Sequence, residues 1–186
     1  MDLQEYVRHA FAGRRIILVG NARFRDDRAA FVDAYEVVVR FNLFEEEWFA
    51  QGLCGEKLDY WCVNLVTGRK SPDRRRRQDR HCRLVKALNP TINVMTPHEE
   101  DKHRRLRDAK EYYPQRGLQL VYPDSGLDTG LGKQPTTGFY LAFRLVFERI
   151  PFSAIGFTGV KSEHHDGEAE VAKLRNHDLI DFCETP

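Results

Sequence analysis

Arg15-Ile16-Ile17-Leu18-Val19-Gly20-Asn21 is the stretch from which the fold can be read. Four apolar residues, three of them β-branched, stop abruptly at glycine and asparagine, which is the pattern of a short strand ending in a tight turn. Upstream, Leu3, Tyr6, Val7, Ala10 and Phe11 share one helical face, so Asp2 to Ala12 reads as an amphipathic helix ended by Gly13. Downstream, Asp26 to Tyr35 can form a helix, and Glu36-Val37-Val38-Val39-Arg40-Phe41-Asn42 is a second strand. Leu58-Asp59-Tyr60-Trp61-Cys62-Val63-Asn64 is a third. Short strands alternating with helices predict an α/β domain whose sheet is mostly parallel and flanked by helices.

The alternation continues. Thr91 to Met95 reads as a strand, Pro97 to Tyr113 as a charged helix and Leu118 to Tyr122 as another strand. Pro123 to Lys133 is a glycine-rich loop. Gln134-Pro135-Thr136-Thr137-Gly138 then opens a helix that is apolar on almost every side through Phe147, and Ser153 to Gly159 is a further strand. No internal repeat or low-complexity linker divides the chain, so residues 1–186 read as a single Rossmann-like domain.

Composition narrows the function classes. The chain is 41% hydrophobic and 31% charged, with a formal net charge of +1, which argues against a dedicated nucleic-acid binder. No apolar run approaches the ~18 residues of a membrane span, and the amino terminus lacks a signal-peptide apolar region. Cys54, Cys62, Cys82 and Cys183 show neither CxxC nor zinc-finger spacing, as expected of reduced thiols in a cytoplasmic protein. Arg69 to Arg83 holds eight basic residues, Arg74 to Arg77 among them, against Asp73 and Asp79, and the run reads as a solvated, mobile loop leading into a helix. That run can touch an anionic surface such as RNA, lipid headgroups or an acidic sugar polymer, although it lacks the interleaved aromatics of base stacking.

Three features suggest a site. The first three strands end at Asn21, Asn42 and Asn64, and ligands of open α/β sheets sit beyond the carboxyl ends of the strands. Asparagine supplies both donor and acceptor to a base or ribose, but it also favours strand-to-loop turns for its own sake. Thr136, Thr137 and Gly138 open a helix whose amino-terminal amides and dipole form an anion seat, or else simply cap a core helix. His165 precedes Asp166, which can cap a last helix with Glu168 and Glu170 in its first turn. A histidine there can take a proton near neutral pH, with Glu170 holding it or its acceptor; a surface His164-His165 pair is the plainer alternative. Other chemistries lack their signatures. Val19-Gly20-Asn21-Ala22 is not a dinucleotide fingerprint, Leu127 and Gln134 break a P-loop match at Gly132-Lys133, and GxSxG is absent. Glu45 to Glu47 are consecutive and would point apart on a helix, and no DxD follows a strand, so no divalent ion is expected.

Taken together, these stretches resemble the sialyltransferases. Ile16 to Asn21 and Val38 to Asn42 are similar to the large sialylmotif, an apolar strand with Gly-Asn and then a second strand with Arg and Asn. Pro135-Thr136-Thr137-Gly138, its apolar helix and Ile155-Gly156-Phe157 resemble the small motif. His165 and Glu170, with four residues between them, resemble the very small motif. The related bacterial Rossmann-like enzymes share this order, including an asparagine after the third strand. The resemblance implies a variant glycosyltransferase A-type fold and an inverting, metal-independent transfer from CMP-sialic acid, or another CMP-nonulosonic acid, to a glycan acceptor, without a cofactor. It also implies that Asn21, Asn42 and Asn64 hold the nucleotide, that Thr136, Thr137 and Gly138 meet the phosphate or sugar carboxylate, and that His165 is the general base. Tyr122 or His164 would assist the leaving phosphate. The animal motifs carry a disulfide whose cysteines have no counterpart here, which points to a compact bacterial or viral enzyme, cytoplasmic, with room for a peripheral contact at the inner membrane face. Two alternatives stand beside it: a non-catalytic nucleotide-binding Rossmann-like domain, and an interaction module built on the basic stretch.

Overall fold

The structure is a computed structural model that describes residues 3–42, 44, 49, 51–63, 72–95, 109–121, 135–159 and 166–183. Helix α1 (Leu3–Phe11) precedes strand β1 (Ile16–Val19), followed by α2 (Ala29–Asp33), β2 (Val37–Phe41) and β3 (Tyr60–Cys62). Then come α3 (Pro72–Leu88), β4 (Asn93–Met95) and β5 (Gln119–Val121). The apolar helix α4 (Thr137–Phe147), β6 (Phe152–Ile155), α5 (Gly167–Arg175) and β7 (Ile180–Cys183) complete the order. All described strands join one parallel sheet in the order β5-β4-β3-β2-β1-β6-β7, which makes this a single Rossmann-like α/β domain.

Strand β1 runs apolar without a break and β2 breaks only at Arg40, because helices cover both faces of the sheet. Every residue of β1 and β2 is buried. Ile16, Leu18, Val37 and Val39 pack on one face with Val7 and Phe11 of α1 and Phe139, Leu141 and Leu145 of α4. Ile17, Val19 and Val38 pack on the other with Val32 of α2 and Cys82 and Val85 of α3. Helix α4 can be apolar nearly all round because it is buried nearly all round, Thr137 to Ala142 without exception. Its one buried cation, Arg144, faces Glu148 at 3.6 Å, and Arg8 of α1 also pairs with Glu148.

Three expectations change. Of the run Arg69 to Arg83, the described residues 72–83, Arg74 to Arg77 included, belong to a continuous helix, not a loop. Gln78, His81, Cys82 and Val85 recur at helical spacing and are buried, and this stripe draws these residues into α3 with Arg75, Arg76, Arg77, Arg80 and Arg83 exposed. The helix expected over Asp26 to Tyr35 shrinks to the five residues of α2. Strand β7 was not foreseen: it pairs along one edge only, with β6, and its half-exposed residues lack the unbroken apolar run of the inner strands. Of the helix expected over Pro97 to Tyr113, only 109–113 lie among the described residues, and 109–112 are helical. Glu45 to Glu47 lie outside them. The four cysteines are free, and Cys54, Cys62 and Cys82 are buried.

Candidate functional site

The strand order fixes where a ligand can enter. From β1 the chain steps outward to β5, then returns to lay β6 on the opposite side of β1. Neighbouring loops therefore diverge between the carboxyl ends of β1 and β6, opening a crevice at this switch point. The register sets Val19 level with Arg40 and with Ile155, so Gly20-Asn21, Phe41-Asn42 and Gly156-Phe157 leave the sheet side by side. A cavity of about 220 Å³ lies there, lined by these residues together with Thr136, Gly138, Phe139, Thr158, Glu170, Val171 and Leu174.

Two glycines bring the strand ends together at its base. Gly20 N–H donates to the Ile155 carbonyl at 2.8 Å, and Ala22 N–H to that of Gly156 at 3.1 Å. A Cβ on Gly20 would lie 2.2 Å from the Gly156 oxygen, closer than any side chain permits, and Gly156 itself has φ +74°. Beside them Asn42 takes a left-handed conformation (φ 50°), which asparagine tolerates better than most residues. Its N–H donates to the Cys62 carbonyl at 2.9 Å, and its own carbonyl accepts from Trp61 Nε1–H at 2.6 Å. The turn out of β2 is thus pinned from both sides. Arg40, two residues before Asn42, has a structural task. Its guanidinium donates to the carbonyls of Cys54 (2.8 Å), Gly55 (2.9 Å) and Lys57 (3.1 Å) and lies 5.1 Å from the Phe49 ring centre. Burial lowers its pKa from the usual arginine value, with Cys54 acting in the opposite sense.

The far wall is made where two helix starts meet. Thr136 caps α4, its hydroxyl accepting from Phe139 N–H at 3.4 Å, and Asp166 caps α5 by accepting from Ala169 N–H at 3.3 Å. Glu170, in the first turn of α5, is 4% exposed and reaches across to α4. It accepts from Thr136 N–H at 2.7 Å and from the Thr136 hydroxyl at 2.6 Å, one bond on each carboxylate oxygen. At the helix start where an anion seat was expected, the amide and hydroxyl of the cap residue Thr136 are therefore engaged by a carboxylate of the chain itself. A buried anion is well placed there, since the α4 dipole and the unpaired amides of its first turn both favour it.

Of the residues proposed from sequence, Asn21, Asn42, Thr136, Gly138 and Glu170 meet in this cavity. Thr137 is buried at 4% exposure and does not line it. Asn64 and His165 lie outside the described residues, as do Tyr122 and His164. In the sequence, Asn64 is the second residue after β3, and His165 directly precedes the α5 cap Asp166. Sequence reasoning placed Gly156, Phe157 and Phe41 in strands and motif stretches but gave them no part in the site. The glycine immediately after each of β1 and β6 was the available signal, because a glycine at a strand end often marks close backbone approach. Among the described residues no group of three or more His, Cys, Asp or Glu could hold a metal ion, and the described lining of the cavity carries no basic side chain. Its polar groups are amides, hydroxyls and one tethered carboxylate, which suits a nucleoside better than a bare phosphate. No model of a known protein family matches the chain, and no curated protein matches it either.

Proposed function

We propose that this chain is an inverting, metal-independent glycosyltransferase that moves sialic acid, or a related nonulosonic acid, from a CMP-sugar to a glycan hydroxyl. The observation that supports this reading is the switch-point cavity, where Asn21, Asn42, Thr136, Gly138 and Glu170, drawn from all three sialylmotif-like stretches, share one set of walls. In this proposal Asn21 and Asn42 read the cytosine and ribose through their amides, Phe157 and Phe41 supply apolar contact, and Asn64 completes the nucleotide site. Glu170 already occupies the α4 amino terminus, so Thr136 and Gly138 serve as a wall of the nucleoside site and not as the phosphate seat that the resemblance implies.

His165 would act as general base. It takes the proton of the acceptor hydroxyl while that oxygen bonds to the anomeric carbon; the bond from that carbon to the phosphate oxygen breaks and CMP leaves. The clasp between Glu170 and Thr136 would hold the helix that follows His165 against the nucleotide site, which is a matter of positioning. The test is turnover of CMP-sialic acid with a panel of galactosides. Release of CMP with a sialylated product, reduced about 100-fold or more by His165→Ala with CMP binding retained, is the expected result for loss of a general base. EDTA should not change the rate. A wild-type protein that neither transfers nor hydrolyses the donor overturns the reading, and full turnover by His165→Ala removes the histidine from it.

A second reading rests on α3, which exposes Arg75, Arg76, Arg77, Arg80 and Arg83. This basic surface suits a peripheral contact with an anionic membrane face in the cytoplasm. No helix among the described residues is long and apolar enough to cross a membrane. Binding to anionic vesicles that weakens steeply with salt, and is lost on neutralising Arg75 to Arg77, is the expected behaviour; binding indifferent to both changes refutes it.

A further inference from the structure

At the opposite end of the sheet from the switch point, the segments that lead into β1, β6 and β7 enclose a depression of about 460 Å³. Arg14 and Arg15 stand on its β1 rim, and Asp178 and Asp181 on its β7 rim. The register runs Ile17–Ser153–Asp181 across the sheet, so β1 and β7 lie two strand spacings, about 10 Å, apart. Between the rims Ile16, Phe152 and Leu179 provide an apolar floor. The four exposed charges are not spent on one another. The Arg14 guanidinium donates to the Ala10 and Glu36 carbonyls, both at 3.3 Å, and that of Arg15 donates to the Ala34 carbonyl. Each has further N–H groups to give. Glu36 accepts from the Arg15 main-chain N–H at 2.8 Å, and neither guanidinium forms an ion pair among the described residues. The Asp178 carboxylate has no partner among them either. Asp181 is held by a relay: Tyr35 Oη–H donates to Ser153 Oγ at 2.8 Å, and Ser153 Oγ–H to Asp181 Oδ2 at 3.3 Å. The Cys183 thiol approaches the same oxygen at 3.9 Å, so the carboxylate is oriented through Oδ2 and Oδ1 stays open.

We propose that this depression binds a zwitterion of the ω-amino acid class, a carboxylate and an ammonium joined by a hydrocarbon stem. The inference is independent of the glycosyltransferase reading and goes beyond it. The ligand carboxylate meets Arg14 and Arg15, whose planar, forked donors match its two oxygens. Its ammonium meets Asp178 and the open Oδ1 of Asp181, and the stem crosses the apolar floor. Ligands with one charge fit less well. A simple anion gains the arginines but faces the aspartates, and a simple cation meets the reverse. An uncharged apolar molecule would strip water from both rims and return no hydrogen bonds. An α-amino acid carries both charges on one carbon and cannot reach the two rims at once. The opposed rims therefore select for the separation of the charges as well as for their signs.

Titration of the full chain with 6-aminohexanoate, hexanoate, hexylamine and glycine, followed through backbone amide NMR shifts at neutral pH and low salt, tests this. Saturable shifts are expected for 6-aminohexanoate at the amides of residues 14–16, 152–153 and 178–181. Its affinity should exceed that of each of the other three by about fivefold or more, the upper scale of one exposed ion pair. Added salt should weaken it, because all four charges are exposed. Asp178→Asn and Arg14→Gln should each weaken 6-aminohexanoate about threefold or more, and the same spectra show whether each variant is folded. The comparison of the four ligands on the wild type decides the matter without either variant. No saturable shifts at these amides, or hexanoate or hexylamine binding as tightly as 6-aminohexanoate, overturns the proposal. Binding that is unchanged in both folded variants overturns it as well.

Discussion

The clasp between Glu170 and Thr136 yields the sharpest quantitative prediction. Glu170 is 4% exposed and accepts two short hydrogen bonds, at 2.7 and 2.6 Å, at the start of a helix. Hydrogen bonds to a charged group contribute about 1.5–3 kcal/mol each, and burial spares this pair the screening that weakens surface interactions. Glu170→Gln keeps the volume but loses the charge and turns an N–H₂ toward the Thr136 hydroxyl, so it should destabilise the fold by about 1.5–3 kcal/mol. Thr136→Val removes the hydroxyl donor and the α4 cap at nearly constant shape, for a loss of about 2–4 kcal/mol. Because the two residues act through the same bonds, the double variant should be less destabilised than the sum, with a coupling of about 1–3 kcal/mol. Thr136→Ser retains both donors and should stay within about 0.5 kcal/mol of wild type. Urea unfolding of the four variants, compared through midpoint and slope, measures all of these quantities. Additivity within about 0.5 kcal/mol would show that the pair is not energetically joined and would refute the reasoning.

Two further outcomes follow from the geometry. Gly20→Ala places a methyl group 2.2 Å from the Gly156 carbonyl oxygen, a backbone atom that cannot step aside as a side chain would. A loss of about 3 kcal/mol or more in the urea midpoint, the upper end of overpacking costs, is expected together with loss of nucleotide binding, and a near-neutral variant would contradict the close approach of β1 and β6. Asp79 accepts from Tyr112 Oη–H at 2.6 Å and from Arg116 Nε–H at 2.9 Å. Burial acts to raise its pKa, but these bonds and the nearby arginine charges outweigh it and hold the carboxyl below its usual value. Its contribution to stability is therefore full above the unfolded aspartate pKa of about 3.9 and is lost as pH falls through the lower folded value. Asp79→Asn should flatten the stability curve in that acid window and leave the slope nearer neutral pH unchanged; an unaltered acid slope would refute the assignment.

Much of the architecture was legible because burial on both faces leaves a plain trace. Ile16 to Val19 and Val37 to Phe41 run apolar or nearly so, and a chain that alternates such runs with helices has few ways to bury them. Strand β7 escaped notice because Ile180, Asp181, Phe182 and Cys183 are half-exposed at the sheet edge and mix polar with apolar residues. The arginine run misled for a related reason: charge density suggests a loop, whereas the deciding residues were the sparse buried positions Gln78, His81, Cys82 and Val85. At the site, Asn21, Asn42 and Gly138 could be singled out by their places at strand and helix ends. The engagement of Glu170 with Thr136 could not, since it joins residues 34 apart and depends on how two helices cross. Likewise, the sequence does not show what Arg40 does inside a strand, and its three carbonyl partners give it a structural task.

The central claim, that the switch-point cavity is a cytidine nucleotide site, is tested most directly by thermal unfolding of the wild-type chain with CMP, UMP, AMP, GMP and NAD in turn. A ligand at about 100 times its Kd adds roughly 2.7 kcal/mol of stability. For a domain of this size that corresponds to a rise in Tm of about 5–10 °C. The account predicts such a rise with CMP alone, and its disappearance in Asn21→Ala and Asn42→Ala. An equal rise with the other nucleotides, or none with CMP, would contradict it.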